Sequence, residues 1–373
     1  MRKKIIVAGH ICLDITPVFP DKKVKNPGDI LLPGKLIEMK EADVHTGGCV
    51  ANTGLAMKIL GADVSLMGKV GKDAFGEMIC GILEKYDAAD KMIVDESQSS
   101  SYSVVLAMPG IDRIFLHNPG ANHTFYEKDI AQEALEEADL LHFGYPPIMR
   151  SMFEKDGDEL VKLLKRAKDA GLATSLDLAA VDQDSPAGKA DWNKILRRVI
   201  PLVDFFVPSV EELCFMIDRE RFESWQQRAG DKDITEILDV ERDIKPLVRQ
   251  CMAYGAKVLL LKCGAPGMYY CAADEETLKQ VGKKISLKVE NWANKEGFEK
   301  SYIPDKILSG TGAGDTSIAA FLTAMTNGEA IEEAVKLAAA TGALCVASYD
   351  SLGGLRPLDE VKAKIAAGWK KRA

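Results

Sequence analysis

The stretch Leu308–Gly328, LSGTGAGDTSIAAFLTAMTNG, decides how the rest of the chain is read. Small residues, Gly310, Gly312, Ala313 and Gly314, lead up to Asp315, and an apolar run at helical spacing follows it. Glycine reaches positive φ and lets another group come close to the backbone. The helix that follows presents unpaired N–H groups and the positive end of its dipole. Gly312, Ala313 and Gly314 thereby form an anion site, with donors aimed where the charge of a migrating phosphoryl group would develop. A carboxylate at its rim can take the proton of an attacking hydroxyl. On these residues alone, Asp315 reads equally as that base or as a plain cap after a glycine turn.

The same design stands much earlier in the chain, in HTGGCVANTGLAMKILGADVSLMGKVGKDAFG, residues 45–76. Gly47 and Gly48 precede a helix, with Asn52 in its first turn. A bare backbone and an amide can hydrogen-bond sugar-like hydroxyls without adding charge. The plainer reading is a tight strand-to-helix turn followed by a surface helix residue. Asp14 ends the first strand, KKIIVAGHICLDI, and can accept bonds from two hydroxyls or simply face a loop.

Around these clusters the chain alternates β and α signals. ADLLHFG, LATSLDL, VDFFVPS and AKVLLLKCG are short apolar runs separated by helical stretches. Such runs suit a parallel sheet covered on both faces. Residues 99–117 read as a partly polar hairpin around MPGIDR. Residues 218–245 and 274–302 are polar enough to read as surface elaborations. At 373 residues, one large α/β domain with a small β appendage fits better than two equal domains.

The bulk numbers remove other classes. A formal net charge of −8 argues against nucleic acid or an anionic membrane as partner. The apolar start is broken by His10 and Asp14, which favours a first strand over a signal peptide. The eight cysteines form no C-x-x-C pair and the five histidines no zinc spacing, so reduced thiols and a cytoplasmic protein are expected.

Together the two glycine clusters resemble the signatures of the ribokinase-like (PfkB) family of sugar and nucleoside kinases. The first matches from Gly47 through Gly76, including the helix Asn52, LGADV and GKVGKDAFGE; the second matches at GTGAGD. The resemblance implies a three-layer α/β sandwich with a mostly parallel central sheet. It also implies a small β-sheet lid, for which segments 14–45 and 99–117 are the candidates. It makes Asp315 the general base and Gly312, Ala313 and Gly314 the anion hole. Asp14, Gly47, Gly48 and Asn52 match sugar-contacting positions, and RIFLHNPGAN adds Arg113 and Asn122. Arg113 reads otherwise as a solvated strand residue.

On the nucleotide side, KCGAPG resembles the turn beneath ATP, which nominates Lys262, Gly264 and Gly267, or else a structural turn. VPSVEEL stands where the family carries an Asn-x-x-Glu motif tied to Mg²⁺, so Ser209 and Glu212 fall there, Glu212 otherwise being an exposed helix carboxylate. ATP and Mg²⁺ are the implied cofactors. Ser309, Gly310 and Thr311 replace the family's Asp-Thr-Thr, which argues against a monovalent cation. Ala339 stands where an Asn often meets adenine, and Tyr145 where ribokinases place a ribose-binding Glu. The segment 177–204 has no assigned role.

The expected function is therefore ATP-dependent phosphorylation of a hydroxyl on a sugar-like substrate. The alternatives are a nucleoside kinase and a non-catalytic binding protein that kept the fold. Kinases of vitamin precursors fit less well, because related ones generally lack the lid. Family lids often pair between subunits, so a homodimer through the lid is expected.

Overall fold

The computed structural model describes residues 2–21, 23–111 and 113–372. Fourteen strands are present among them. Lys4–Gly9 (β1), Cys12–Thr16 (β2), Asp43–Gly47 (β3), Asp63–Met67 (β4), Lys69–Gly71 (β5), Ile93–Asp95 (β6), Tyr102–Leu106 (β7) and Ile114–Asn118 (β8) occupy the first third. Leu140–Gly144 (β9), Ala173–Leu176 (β10), Phe205–Phe206 (β11), Val258–Lys262 (β12), Gly267–Ala272 (β13) and Glu296–Lys300 (β14) follow.

Eight strands form the central sheet in the order β14-β13-β12-β11-β10-β9-β1-β4. The pairs from β4 through β12 are parallel, and β13 and β14 close one edge antiparallel. Because successive strand side chains face opposite sides, β1 feeds two cores. Ile5 and Val7 pack on one face with Leu55 and Phe321, while Ile6 and Ala8 pack on the other with Leu163 and Trp192. Both layers of helices are thus held by the same strand, the arrangement that a continuous apolar run requires. A separate four-stranded sheet, β3-β2-β7-β8, stands over one end. Its hairpin pairs Tyr102 with Asn118 and Leu106 with Ile114.

The strand order fixes where a ligand can sit. From β1 the chain crosses to β4 on one side, and later returns to β9 on the other. In open α/β sheets the crevice outside the carboxyl ends of the strands at such a reversal is the natural binding site. His10 follows β1, Tyr145 follows β9, Asp177 follows β10, and Lys262 ends β12.

The two stretches expected to be surface elaborations are not. Residues 218–245 carry Trp225, 1% exposed, whose indole N–H donates to buried Asp243 at 3.1 Å. Residues 274–302 supply β14 and Trp292, 1% exposed, which packs edge-on against Phe205 and Phe321. Gly282 N–H also donates at 3.1 Å to Asp204, a fully buried carboxylate paired with Lys168 and Lys257. Many charged residues of both stretches stay exposed, while Asp243, Thr235 and a few large side chains anchor them.

Candidate active site

Asp315 lies in the first turn of the helix Ala313–Thr326 and is 4% exposed. Gly312 caps this helix in the left-handed region at φ 76°, where a Cβ would come within 2.3 Å of Ser351 Cβ. Only glycine fits. The N–H groups of Gly314 and Asp315 find no backbone carbonyl among the described residues, so the helix mouth keeps donors to offer.

The carboxylate is held from three directions. Asn52 Nδ2 donates to Oδ2 at 3.0 Å and Thr53 Oγ1 to Oδ1 at 3.3 Å, both from the first turns of the helix Cys49–Ile59. The Tyr145 hydroxyl donates from the end of β9, 2.8 Å from each carboxylate oxygen. Asn52 is itself fixed, because Ser351 Oγ donates to its Oδ1 at 2.9 Å. Burial pushes the Asp315 carboxyl up, and Lys262 together with the donors Tyr145, Asn52 and Thr53 pulls it back. A carboxylate so placed stays available as a proton acceptor without being left bare.

A cavity of about 700 Å³ opens between the strand ends and the small sheet. Asp14, Gly48, Asn52, Tyr145, Glu212 and Asp315 all line it. Thus four of the residues expected to contact substrate or transfer its proton, from three distant parts of the chain, share one space. Gly47 makes room for Asp14: a Cβ there would stand 2.1 Å from Asp14 Oδ2. Gly48, at φ 85°, lies against His10, where a Cβ would meet Nδ1 at 2.6 Å. His10 is 2% exposed, lines the cavity, and neither ring nitrogen has a hydrogen-bond partner among the described residues. Burial, then His117 and His123, lowers its pKa, so the imidazole is neutral and able to both donate and accept.

Lys262 forms a second buried centre behind the first. Its Nζ lies 2.7 Å from Asp177 Oδ1, and a Cβ on Gly314 would touch its side chain at 3.5 Å. Burial opposes both charges. It pushes Asp177 up to about 8 against the pull of Lys262. It would also lower Lys262, but Asp177, Glu212 and Asp315 outweigh it and hold the ammonium charged.

The remaining expected residues fall into place differently. Arg113 reaches from the small sheet to hydrogen-bond the Thr311 hydroxyl beside the Gly312–Gly314 turn. Asn122 is a correction. It is fully buried, its Oδ1 accepts from Ile11 N–H at 3.1 Å and its Nδ2 donates to Ile11 O at 2.8 Å. The amide is spent on holding the β1–β2 link, and it does not line the cavity. Ser209 and Glu212 form a reciprocal cap on the helix Val210–Ile217: Ser209 N–H donates to Glu212 Oε2 at 3.1 Å and Glu212 N–H to Ser209 Oγ at 3.3 Å. Gly264 (φ 62°) and Gly267 (φ 146°) bound the turn between β12 and β13. A Cβ on Gly267 would meet the Glu299 carbonyl at 2.1 Å, so close strand packing alone demands that glycine.

Sequence reasoning passed over Thr53, Asp177, Ser351 and His10. Thr53 adjoins a residue already singled out, and Asp177 is the only carboxylate inside its apolar strand run LATSLDL. Ser351 carries no local signal at all. Tyr145 was visible only as a replacement, not as a partner of Asp315. Its backbone is left-handed, φ 67° and ψ 36°, a conformation that costs a non-glycine residue about 1–3 kcal/mol and persists where surroundings enforce it.

A helix mouth with unpaired N–H groups, a buried carboxylate facing a cleft and a crevice at the strand ends together have the layout of a phosphotransferase site of the α/β class. Residues 2–355 match the pfkB family carbohydrate kinases, and the chain belongs to that family. An uncharacterized sugar kinase of Archaeoglobus fulgidus is 23% identical over 305 residues, covering 81% of this chain and 98% of the relative. The ribokinase of Arabidopsis thaliana, solved with ribose and ATP, superposes with a TM-score of 0.70 at 21% identity, covering 97% of this chain and 98% of that one. A ribokinase II-type protein of Escherichia coli, solved with ATP and Mg²⁺, also gives 0.70 at 19% identity, covering 98% and 99%. The fold is that of the ribokinases, and the enzyme is a phosphotransferase acting on a sugar hydroxyl. No helix among the described residues is long and apolar enough to cross a membrane.

Proposed function

We propose that this kinase transfers the γ-phosphoryl group of ATP to a hydroxyl of a neutral sugar-like acceptor, with Asp315 as general base. The observation that carries the reading is the shared cavity. Asp315 stands at an open helix N-terminus in the same space as Asp14, Gly48 and Asn52. Asp14 suits a hydroxyl, and the neutral His10 and His117 imidazoles add no charge that would select an anion.

The residues present fit ATP with Mg²⁺. No group of three or more metal-binding side chains is assembled among the described residues. Mg²⁺ that travels on nucleotide phosphates needs only one or two carboxylates, and Glu212 faces the cavity. Bound there, the ion would neutralise charge on the phosphates. The orphan N–H groups of Gly314 and Asp315 would receive the equatorial oxygens of the migrating group, and Lys262 would add positive charge from behind. Asp315 would take the acceptor's proton at a carboxylate oxygen, while Asn52 and Thr53 hold the carboxylate plane fixed. The small sheet, anchored by Arg113 on Thr311, would keep bulk water out.

Potassium has no acidic ligand at Ser309–Thr311, and the proposal includes no monovalent cation. A homodimer through the small sheet is part of the proposal: its edge strand β8 exposes Phe115 (53%) and Leu116 (54%). Light scattering on wild type and Leu116→Glu tests it.

The test of the function is ADP release with ATP and Mg²⁺ over a panel of sugars and nucleosides. Turnover with a neutral sugar, lost in Asp315→Asn, is expected. Turnover with a nucleoside alone would move the substrate class. Binding without turnover by any panel member would replace the kinase with a binding protein.

A further inference from the structure

We infer that the Tyr145 hydroxyl occupies, in the resting enzyme, the place on Asp315 that the acceptor's hydroxyl takes during transfer, and so shields the base until an acceptor arrives. The inference rests on Asp315 being the base.

Geometry singles out Tyr145 among the three donors. Thr53 is fully buried and does not line the cavity. Asn52 is tied at its other end to Ser351. Tyr145 comes from the opposite wall and is partly exposed to the cavity, and its oxygen is equidistant, 2.8 Å, from both carboxylate oxygens. It therefore sits between the carboxylate and the space where an acceptor must bind. A hydroxyl of the acceptor would have to approach from this side, offering the same O–H···O⁻ bond. Exchanging one such bond for another is close to neutral in free energy. The acceptor's remaining contacts, at Asp14 and Gly48, can then drive the exchange.

The chain around Tyr145 favours a moving ring on a fixed backbone. Gly144 is wedged against Cys49, where a Cβ would stand 2.4 Å from Sγ, and Pro146 follows directly. Displacement is then a side-chain rotation into the cavity. Burial, and then Asp315, pushes the phenol's pKa well up, so it remains a donor and does not itself serve as a proton relay.

The consequence is chemical. With nucleotide bound and the carboxylate open to solvent, water could replace the acceptor. Its oxygen would bond to the γ-phosphorus, its proton would pass to Asp315, and the bond from that phosphorus to the β-phosphate oxygen would break. The products would be ADP and inorganic phosphate. Tyr145 keeps the base engaged so that this reaction is slow.

The experiment is Tyr145→Phe, assayed for ADP release from ATP and Mg²⁺ without acceptor, then with the panel compound that turns over fastest. Expected are a rise of about tenfold or more in acceptor-free hydrolysis and an acceptor KM unchanged or lower. The acid limb of the pH profile should also move upward, since a donor that lowers the Asp315 pKa is gone. Hydrolysis that stays at the wild-type rate, or a large kcat loss without added hydrolysis, would overturn the inference and make Tyr145 a fixed support of the base. Asp315→Asn separates the two readings. If it still transfers phosphate, the base assignment fails whatever Tyr145 does; if it is inactive while Tyr145→Phe shows no added hydrolysis, only this inference fails. Melting curves check folding, and Tyr145→Leu, which also lacks the donor, gives the same readout should the phenylalanine variant unfold.

Discussion

Changing Asn52 to Asp probes the proposed base, Asp315, more sharply than removing it. The side chains are nearly isosteric, and Ser351 can still donate to the oxygen it already meets at 2.9 Å. The nitrogen that now donates to Asp315 at 3.0 Å becomes a carboxylate oxygen. Two charges about 3–4 Å apart, at the effective dielectric of ~20 that suits protein sites, repel by roughly 4–5 kcal/mol. At ~1.4 kcal/mol per unit, that raises the upper pKa of the pair by about 3 units. The pair then shares one proton over the pH range in which Asp315 alone is ionised, as adjacent carboxylates do. Activity on the acid limb should fall about 10²–10³-fold and recover as pH rises by about 3 units. Coupled ADP release from about pH 5.5 to 10 reads the limb directly, with melting temperatures recorded at each pH. An acid limb unmoved from wild type, in a folded variant, would mean that Asp315 does not set the reaction's proton requirement.

Other perturbations read separate parts of the structure. Asp315→Asn should cost about 10²–10⁴ in kcat while ATP and acceptor affinities stay within a few fold, by steady-state kinetics and calorimetry. Trp292→Ala removes a side chain packed between Phe205 and Phe321 and should destabilise by about 3–5 kcal/mol in urea unfolding. A loss below ~1 kcal/mol would return residues 274–302 to the surface role their polarity suggests. His142 is fully buried, and burial, with Lys262, lowers its pKa to about 3. The unfolded chain binds this proton first, so the stabilisation is complete above about pH 6.5 and is lost as pH falls towards 3. Its upper bound is ~4–5 kcal/mol, and His142→Gln should flatten the acid side of the stability curve.

How much of this was legible in the sequence depends on whether the chemistry lies within one segment or between several. Asp315 with Gly312, and Asn52 with Gly48, are each written in a contiguous turn-and-helix motif, because a helix mouth and its glycines are local physics. The parallel sheet was equally open to reading, since strands buried on both faces must be apolar throughout. Asn52 and Asn122 show where that legibility ends. Both are buried amides, Asn52 in the first turn of a helix and Asn122 in the short turn Gly120–Thr124, and both were expected at the substrate; one meets Asp315, the other is consumed by the backbone of Ile11. Nothing within a few residues of either tells them apart, because the difference is which distant segment each amide meets. Tyr145, Asp177 and Lys262 extend the point. Each follows or ends a different strand, and HFGYPP or SLDLAA alone carries no catalytic pattern. They become a network only because β9, β10 and β12 run parallel and deliver their carboxyl ends to one edge. Tyr145, which covers the proposed base, and Lys262 behind it are thus products of topology. The proposed base itself is a product of local sequence, and this separation explains why a reading of motifs finds the candidate chemistry before it finds what would control it.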